Sequence, residues 1–353
     1  MHIVLAGGGT AGHIEPALNT ADEIRSRNCG DSISILGTSK GLETTLVPAR
    51  GYQLTLIPPV PLPRRINKDL FTLPSRLHRA IGATKQHLLE TKADVVVGFG
   101  GYVALPAYFA ARSLNIPIVV HEANAKPGIA NKVGARFANK VVETVKGSIS
   151  GAIQIGLPLR YSIAHFDKVQ NRNAGLGLWN LDENRPTILV FGGSQGARVI
   201  NDAVAQLAPE LIAIGFQILH SVGRGNEDQL VKNVANYVTV PYIEKMEYAY
   251  GVADLVISRS GAMTVAEICA VGLPAIFIPF AIGNGEQILN AKPVVTAGGG
   301  LIIENQNLSS ATLHQAISQI QSMGLDKCAT ASRNLGNVDS AKQFVDLILQ
   351  VAR

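Results

Sequence analysis

Four short stretches of this chain combine residue types and spacings suited to phosphate and sugar chemistry. Gly7-Gly8-Gly9-Thr10-Ala11-Gly12-His13 follows a β-branched run and precedes a helical stretch starting near Ile14. Glycines there let backbone N–H groups approach an anion, and a helix N-terminus adds a favourable field of about 0.3–1 kcal/mol. Gly98-Phe99-Gly100-Gly101-Tyr102 and Gly192-Gly193-Ser194-Gln195-Gly196-Ala197 repeat the arrangement after two further apolar runs, and Ser194 brings a hydroxyl for a phosphate oxygen. The fourth stretch, Arg259 to Glu267, again turns from strand into helix. Thr264 followed three residues later by Glu267 matches a capping box, in which the carboxylate binds a backbone N–H at the helix start. A helix so capped still presents amides to a diphosphate and leaves Glu267 for ribose hydroxyls.

The glycines at 7, 9 and 12 also match the dinucleotide pattern, but the second strand ends in Gly37-Thr38-Ser39-Lys40, without the acidic ribose reader, which weakens an NAD reading. His13 is the candidate general base, with an ordinary pKa near working pH, and as a lone histidine it serves as well to orient substrate. No Asp-x-Asp pair occurs, so a metal-bridged diphosphate is not expected; His121-Glu122 begins like a zinc motif but lacks the second histidine. Cys29, Cys269 and Cys328 lie far apart with no CxxC spacing, as fits reduced structural thiols.

The elements that must position these groups alternate between short β-branched runs and longer helical stretches, the pattern of parallel strands with crossover helices. A length of 353 residues suggests two domains of about 150 each, and 47% hydrophobic against 16% charged residues excludes disorder. No apolar run reaches the roughly 18 residues of a spanning helix, and the first residues show no export signal. Strands are expected at His2 to Ala6, Ser32 to Gly37, Leu54 to Ile57, Val95 to Gly98, Pro117 to His121 and Val141 to Glu143, then at Thr187 to Phe191, Gln217 to Ser221, Asp254 to Ser258 and Pro274 to Ile278. Helices are expected at Val199 to Ile212, Thr264 to Val271, Glu286 to Ala297 and Ser340 to Val351. Between Arg160 and Arg185 the chain is polar, asparagine-rich and weakly periodic, which puts a boundary near Arg160. The expected fold is α/β, two Rossmann-like doubly wound domains at 1–160 and 161–337 facing across a cleft, with helix 338–353 packing back onto the first.

A net charge of +5 calls for an anionic partner. Between Pro59 and Lys85, Arg64, Arg65, Lys68, Arg76, Arg79 and Lys85 interleave with Ile66, Leu70, Phe71, Leu73, Leu77 and Ile81. Such a segment suits an anionic bilayer surface, or is a solvated helix packed on its own domain. With one Trp and no stacking series, nucleic acid is a poor competitor.

Taken together, GGGTAGHIEPALN at 7–19, GFGGYVALPA at 98–107, HEANAKPGIANK at 121–132, GGSQGARVIND at 192–202 and RSGAMTVAEICAVGLPAIFIPF at 259–280 resemble the MurG family over nearly the whole length. These are inverting UDP-GlcNAc:lipid I transferases of peptidoglycan synthesis with the GT-B fold. The resemblance implies Thr10, Ala11 and Gly12 beside the donor, Asn124 on the sugar, and Arg160 and Ser194 near the diphosphate. It further implies Ile243 on the uracil through its backbone, Ala262, Met263, Thr264, Val265, Ala266 and Glu267 on phosphate and ribose, and Gln287 on the sugar hydroxyls. The chain departs from the usual family pattern at Ala11, Leu157 and Glu286. Implied partners are UDP-GlcNAc, undecaprenyl-linked lipid I, the anionic cytoplasmic face of the cell membrane with the enzyme peripheral to it, and cell-wall or division machinery. Two alternatives stay open: a related UDP-sugar enzyme, either a transferase to another acceptor or a UDP-GlcNAc epimerase, and a non-catalytic nucleotide-sugar sensor. The basic segment favours a lipid acceptor, and His13 favours catalysis.

Overall fold

The computed structural model describes residues 1–60, 69–280 and 285–352, with the side chains of 69–71 excepted. The chain divides into two compact units, Met1–Tyr161 with Asp339–Arg353, and Ser162–Val338.

The first unit runs β1 (His2–Gly7), α1 (Ala11–Ser26), β2 (Ser32–Gly37), α2 (Glu43–Ala49), β3 (Gln53–Leu56), α3 (Asp69–Glu90), β4 (Val95–Gly100), α4 (Ala104–Ser113), β5 (Ile118–Glu122), α5 (Ile129–Gly134), β6 (Lys140–Glu143) and β7 (Ile153–Gln154). All its strands are parallel, in the order β3-β2-β1-β4-β5-β6-β7. Both faces are covered, which is why the strands read as unbroken apolar runs. Along β1 the side chains alternate: Ile3 and Leu5 enter one core with Ile14, Leu18 and Ile24 of α1. Val4 and Ala6 enter the other with Val103, Ala107 and Tyr108.

The second unit holds α6 (Tyr161–Ala164, whose first residue belongs to the first unit), α7 (Lys168–Trp179), β8 (Thr187–Phe191), α8 (Arg198–Ala213), β9 (Gln217–Ser221), β10 (Tyr237–Val240), α9 (Met246–Val252), β11 (Ala253–Ser258), α10 (Ala262–Val271), β12 (Ala275–Phe277), α11 (Glu286–Thr296), β13 (Gly300–Ile302), α12 (Ser310–Met323) and α13 (Leu325–Arg333). Its sheet is also parallel, in the order β10-β9-β8-β11-β12-β13. The closing helix α14 (Ser340–Ala352) returns to the first unit. There Phe344, Val345 and Ile348 join the α1 core, Ser340 Oγ donates to the Leu157 carbonyl at 2.6 Å, and Arg27 pairs with Asp346 at 2.6 Å.

One feature departs from expectation. The asparagine-rich stretch after Arg160 contains a helix, α7, because Asp167 accepts from Gln170 N at its start and Asn180 closes it in the left-handed region at φ 50. The helix has no apolar stripe because it packs on α9 through Gly175, where a Cβ would stand 2.6 Å from Val252 Cγ1. Lys168 and Arg172 add bonds to the Ala253 and Val252 carbonyls at 2.7 and 3.1 Å. In α3, Leu77 and Ile81 pack with buried Ala80 and Leu88 against the first unit's core, as the reading of a helix packed on its own domain expects of them. Arg79 is exposed, and Arg76 and Lys85 are half-buried. Arg64, Arg65, Lys68 and Ile66 lie outside the described residues, as do the side chains of Leu70 and Phe71.

Candidate functional site

In each sheet the chain reverses its order of strand addition at one point, between β1 and β4 in the first unit and between β8 and β11 in the second. Ligands of open α/β sheets bind at the carboxyl ends beside such a point. All four stretches singled out from the sequence fall there.

In the first unit the loop after β1 turns at Gly9, with φ +91, and passes through extended Thr10 into α1, which begins at Ala11. Ala11 is therefore helical, a conformation open to any L-residue. Thr10 is the N-cap but its side chain makes no cap bond; Oγ1 lies 3.1 Å from His13 Nδ1 instead. The imidazole lies over Gly100, where a Cβ would stand 3.0 Å from His13 Cδ2, so the ring needs glycine there. Burial lowers the His13 pKa, opposed by a backbone hydrogen bond at Gly8. The ring is thus neutral at pH 7 and fit to accept a proton.

Glu122, at the end of β5, shapes the loop that carries Asn124. Its Oε1 accepts from Asn124 N at 2.9 Å, and its Oε2 accepts from Gly128 N at 3.1 Å and Asn131 Nδ2 at 2.9 Å. Asn131 in turn accepts from the Tyr108 hydroxyl at 2.8 Å. Burial raises the Glu122 pKa, and these hydrogen bonds oppose it. No group of three metal-ligating side chains forms among the described residues; His121 Nε2 donates to the Gly156 carbonyl at 2.9 Å, and burial lowers its pKa to about 4. Arg160 is half-buried, one residue before α6.

In the second unit, Gly192–Val199, Arg259, Gly261, Thr264, Phe280, Gln287 and Asn305 line a pocket of about 680 Å³. The N-termini of α8 and α10 open there beside glycine-rich backbone, an anion cradle. Ser194 is exposed at its rim. Arg259 Nη1 donates to the Ile278 and Pro279 carbonyls at 2.9 and 3.2 Å and to Asn305 Oδ1 at 2.7 Å, and its guanidinium lies 5.3 Å from the Phe280 ring centre. Gln287 Oε1 accepts from Phe280 N at 2.9 Å and Ser260 N at 3.3 Å.

The expected capping box is absent. Helix α10 begins at Ala262 with Gly261 as N-cap and no side-chain cap bond, which leaves Thr264 inside the first turn and Glu267 in the helix interior. Gly261, at φ −62 and ψ 149, takes the extended cap conformation three positions before Thr264, the N-cap that the Thr-x-x-Glu spacing would need. Glu267 is buried and its Oε2 accepts from the Tyr250 hydroxyl at 2.9 Å. Thr264, Ser194 and Gln287 thus share one pocket. Ala262, Met263 and Ala266 are half-exposed on the same helix, while Val265, Glu267 and Ile243 are buried.

Sequence reading passed over Glu43, Glu122, Asn131 and Arg259, whose side chains hold the backbone of these loops. Glu122 had a signal, its place in HEANAKPG, but the zinc comparison drew attention to the wrong property. Glu43 had none, because it reaches its site only through the fold.

Two parallel Rossmann-type units, each with glycine loops and helix N-termini at its switch point, are the architecture of GT-B nucleotide-sugar enzymes. The chain belongs to glycosyltransferase family 28, whose N-terminal domain matches residues 3–143 and whose C-terminal domain matches 187–350. It is 56% identical over 313 residues to a UDP-N-acetylglucosamine–N-acetylmuramyl-(pentapeptide) pyrophosphoryl-undecaprenol N-acetylglucosamine transferase of Streptomyces avermitilis, covering 88% of this chain and 86% of the relative. A transferase of the same name from Streptomyces coelicolor is 50% identical, covering 99% and 98%. The crystal structure of Acinetobacter baumannii MurG superimposes with a TM-score of 0.81 at 27% identity, covering 99% of both chains.

Proposed function

We propose that this chain transfers N-acetylglucosamine from UDP-GlcNAc, with inversion, to the 4-hydroxyl of the MurNAc unit of undecaprenyl-linked lipid I, giving lipid II for peptidoglycan synthesis. The observation that carries this is near-full-length identity to transferases of that specificity, joined to glycine loops at both switch points.

In this reading the second unit holds the donor and the first the acceptor. Inversion needs the acceptor hydroxyl to attack the anomeric carbon from the face opposite UDP. The neutral His13 imidazole takes the hydroxyl proton as the new bond forms. The charge growing on the departing diphosphate is met by N–H groups of Gly192–Ala197 and of the α10 N-terminus, with the Ser194 hydroxyl and Arg160 beside it. Thr10, Ala11, Gly12 and Asn124 lie along the sugar, Ile243 offers its backbone to uracil, Ala262 to Glu267 hold phosphate and ribose, and Gln287 serves the sugar hydroxyls. An assay of UDP release with and without a lipid I analogue tests the reaction: release should depend on acceptor. Free UDP or a new UDP-sugar made without acceptor would point to hydrolysis or epimerisation instead. Turnover should persist in excess EDTA, and a loss restored by magnesium or manganese would overturn metal-independent charge stabilisation.

The lipid acceptor places the enzyme at the cytoplasmic membrane face, in reach of cell-wall and division machinery. The basic residues at 64–85 are the contact, each worth about 1 kcal/mol near an anionic surface. Leu77 and Ile81 face the core, so they are not part of that contact. Replacing Arg64, Arg65, Lys68, Arg76 and Arg79 by glutamine should abolish co-sedimentation with anionic vesicles at low salt, where screening is weakest. Turnover of a soluble short-chain acceptor should survive. Unchanged vesicle binding would place the membrane face elsewhere.

A further inference from the structure

Glu43 opens α2, and its side chain is fully buried. No lysine or arginine pairs with it among the described residues; three donors hold its carboxylate instead. Oε2 accepts from Gly9 N at 3.0 Å, and Oε1 accepts from Thr38 N at 2.8 Å and Thr38 Oγ1 at 2.9 Å. One carboxylate therefore ties the loop after β1 to the loop after β2. Glycine makes room for it: a Cβ at Gly8 would stand 3.0 Å from Oε1, one at Gly37 2.5 Å from Cγ, and one at Gly41 would run into the carboxylate. Withdrawing a charge from water is costly unless its lone pairs are taken up, and here they are taken up by the very loop that carries the candidate base. The N–H it anchors belongs to Gly9, at φ +91, and the next residue is Thr10, whose hydroxyl meets His13.

We infer that Glu43 is a positioning residue for transfer: by anchoring the Gly9 amide it fixes the loop conformation in which Thr10 orients His13 toward the acceptor hydroxyl. This role rests, for its kinetic consequence, on the reaction proposed above. Glu43→Gln tests it at nearly constant shape. A carboxamide has one oxygen, which the two Thr38 donors claim, so its NH₂ turns toward Gly9 N–H and that amide loses its acceptor. Thr38→Val is the matched control, because it removes a bond to the same carboxylate without touching Gly9.

In Glu43→Gln, amide exchange over residues 7–13 should quicken by about tenfold or more as the loop opens locally. Its kcat should fall by about ten- to a hundredfold, the scale of a 1 Å misplacement. Thr38→Val should lower the melting temperature at least as much yet keep kcat within about twofold, and Glu43→Gln in a His13→Ala background should cost no more than about twofold further, since residues acting as a unit are not additive. Parent-like exchange and kcat in Glu43→Gln, or an equal kcat loss in Thr38→Val, would overturn the positioning role. A parent enzyme that transfers nothing to the lipid I analogue would instead remove the transferase reading, and loop exchange would still decide whether Glu43 holds Gly9.

Discussion

His13→Ala should lower kcat for a lipid I analogue by about 10²- to 10⁴-fold, the usual contribution of a positioned general base. The loss should appear at saturating UDP-GlcNAc and leave donor binding within a few-fold, because the pocket proposed for the nucleotide is lined by second-unit residues. Folding should change little, since the side-chain hydrogen bond lost is the one to exposed Thr10. The pH profile of the parent gives the sharper test. Burial holds the His13 pKa below the ordinary 6.5, so the free base is the major form at neutral pH. Activity should therefore be flat around pH 7, fall as acid protonates the ring below pH 6.5, and lose that limb in His13→Ala. A variant retaining the parent's rate would remove the histidine from the reaction and leave the proton to another group.

Glu267→Ala should lower both stability and donor affinity, and the two losses can be separated. Removing the carboxylate takes from the buried Tyr250 hydroxyl the acceptor Glu267 Oε2, at a cost of about 1–3 kcal/mol. For a protein with domains of this size that corresponds to several degrees of melting temperature, at roughly 2–4 °C per kcal/mol. Tyr250→Phe removes the same hydrogen bond but keeps the carboxylate. If Glu267 also reads the ribose, UDP-GlcNAc affinity measured by calorimetry should drop in Glu267→Ala and hold in Tyr250→Phe. Equal nucleotide affinity in both, with melting temperatures lowered alike, would confine Glu267 to holding Tyr250. A capping role predicted from Thr-x-x-Glu spacing would instead have made Tyr250→Phe silent.

Much of the architecture was legible because its causes are local. Val95–Val97 and Ile188–Val190 are apolar on consecutive residues, which only a strand covered on both faces accommodates. Glycine clusters after such runs marked the turns, and ten of the expected strands appear within a residue or so of their predicted ends. Short edge strands β7, β10 and β13 were missed, since two to four residues carry too little pattern. Helix α7 was missed for a different reason: its stability comes from capping and from cations on neighbouring carbonyls, not from an apolar stripe.

Residue type and order along the chain determined the two parallel sheets, the glycine loops at their switch points and the placing of His13 at a helix start. Only tertiary structure decided which polar groups those loops meet. Glu43 lies 34 positions from Gly9, yet its carboxylate is the acceptor of that loop's amide, supplied by a helix start rather than by the end of the second strand, where an acidic residue was sought. Tyr250 lies 17 positions from Glu267 and turns an apparent cap into an interior anchor. Leu77 and Ile81, spaced among basic residues, face inward because the sheet below α3 offers them a core. The physical difference is range. Backbone conformation and burial periodicity follow from neighbours a few residues away, whereas a buried carboxylate is satisfied by whichever donors folding brings within about 3 Å of it.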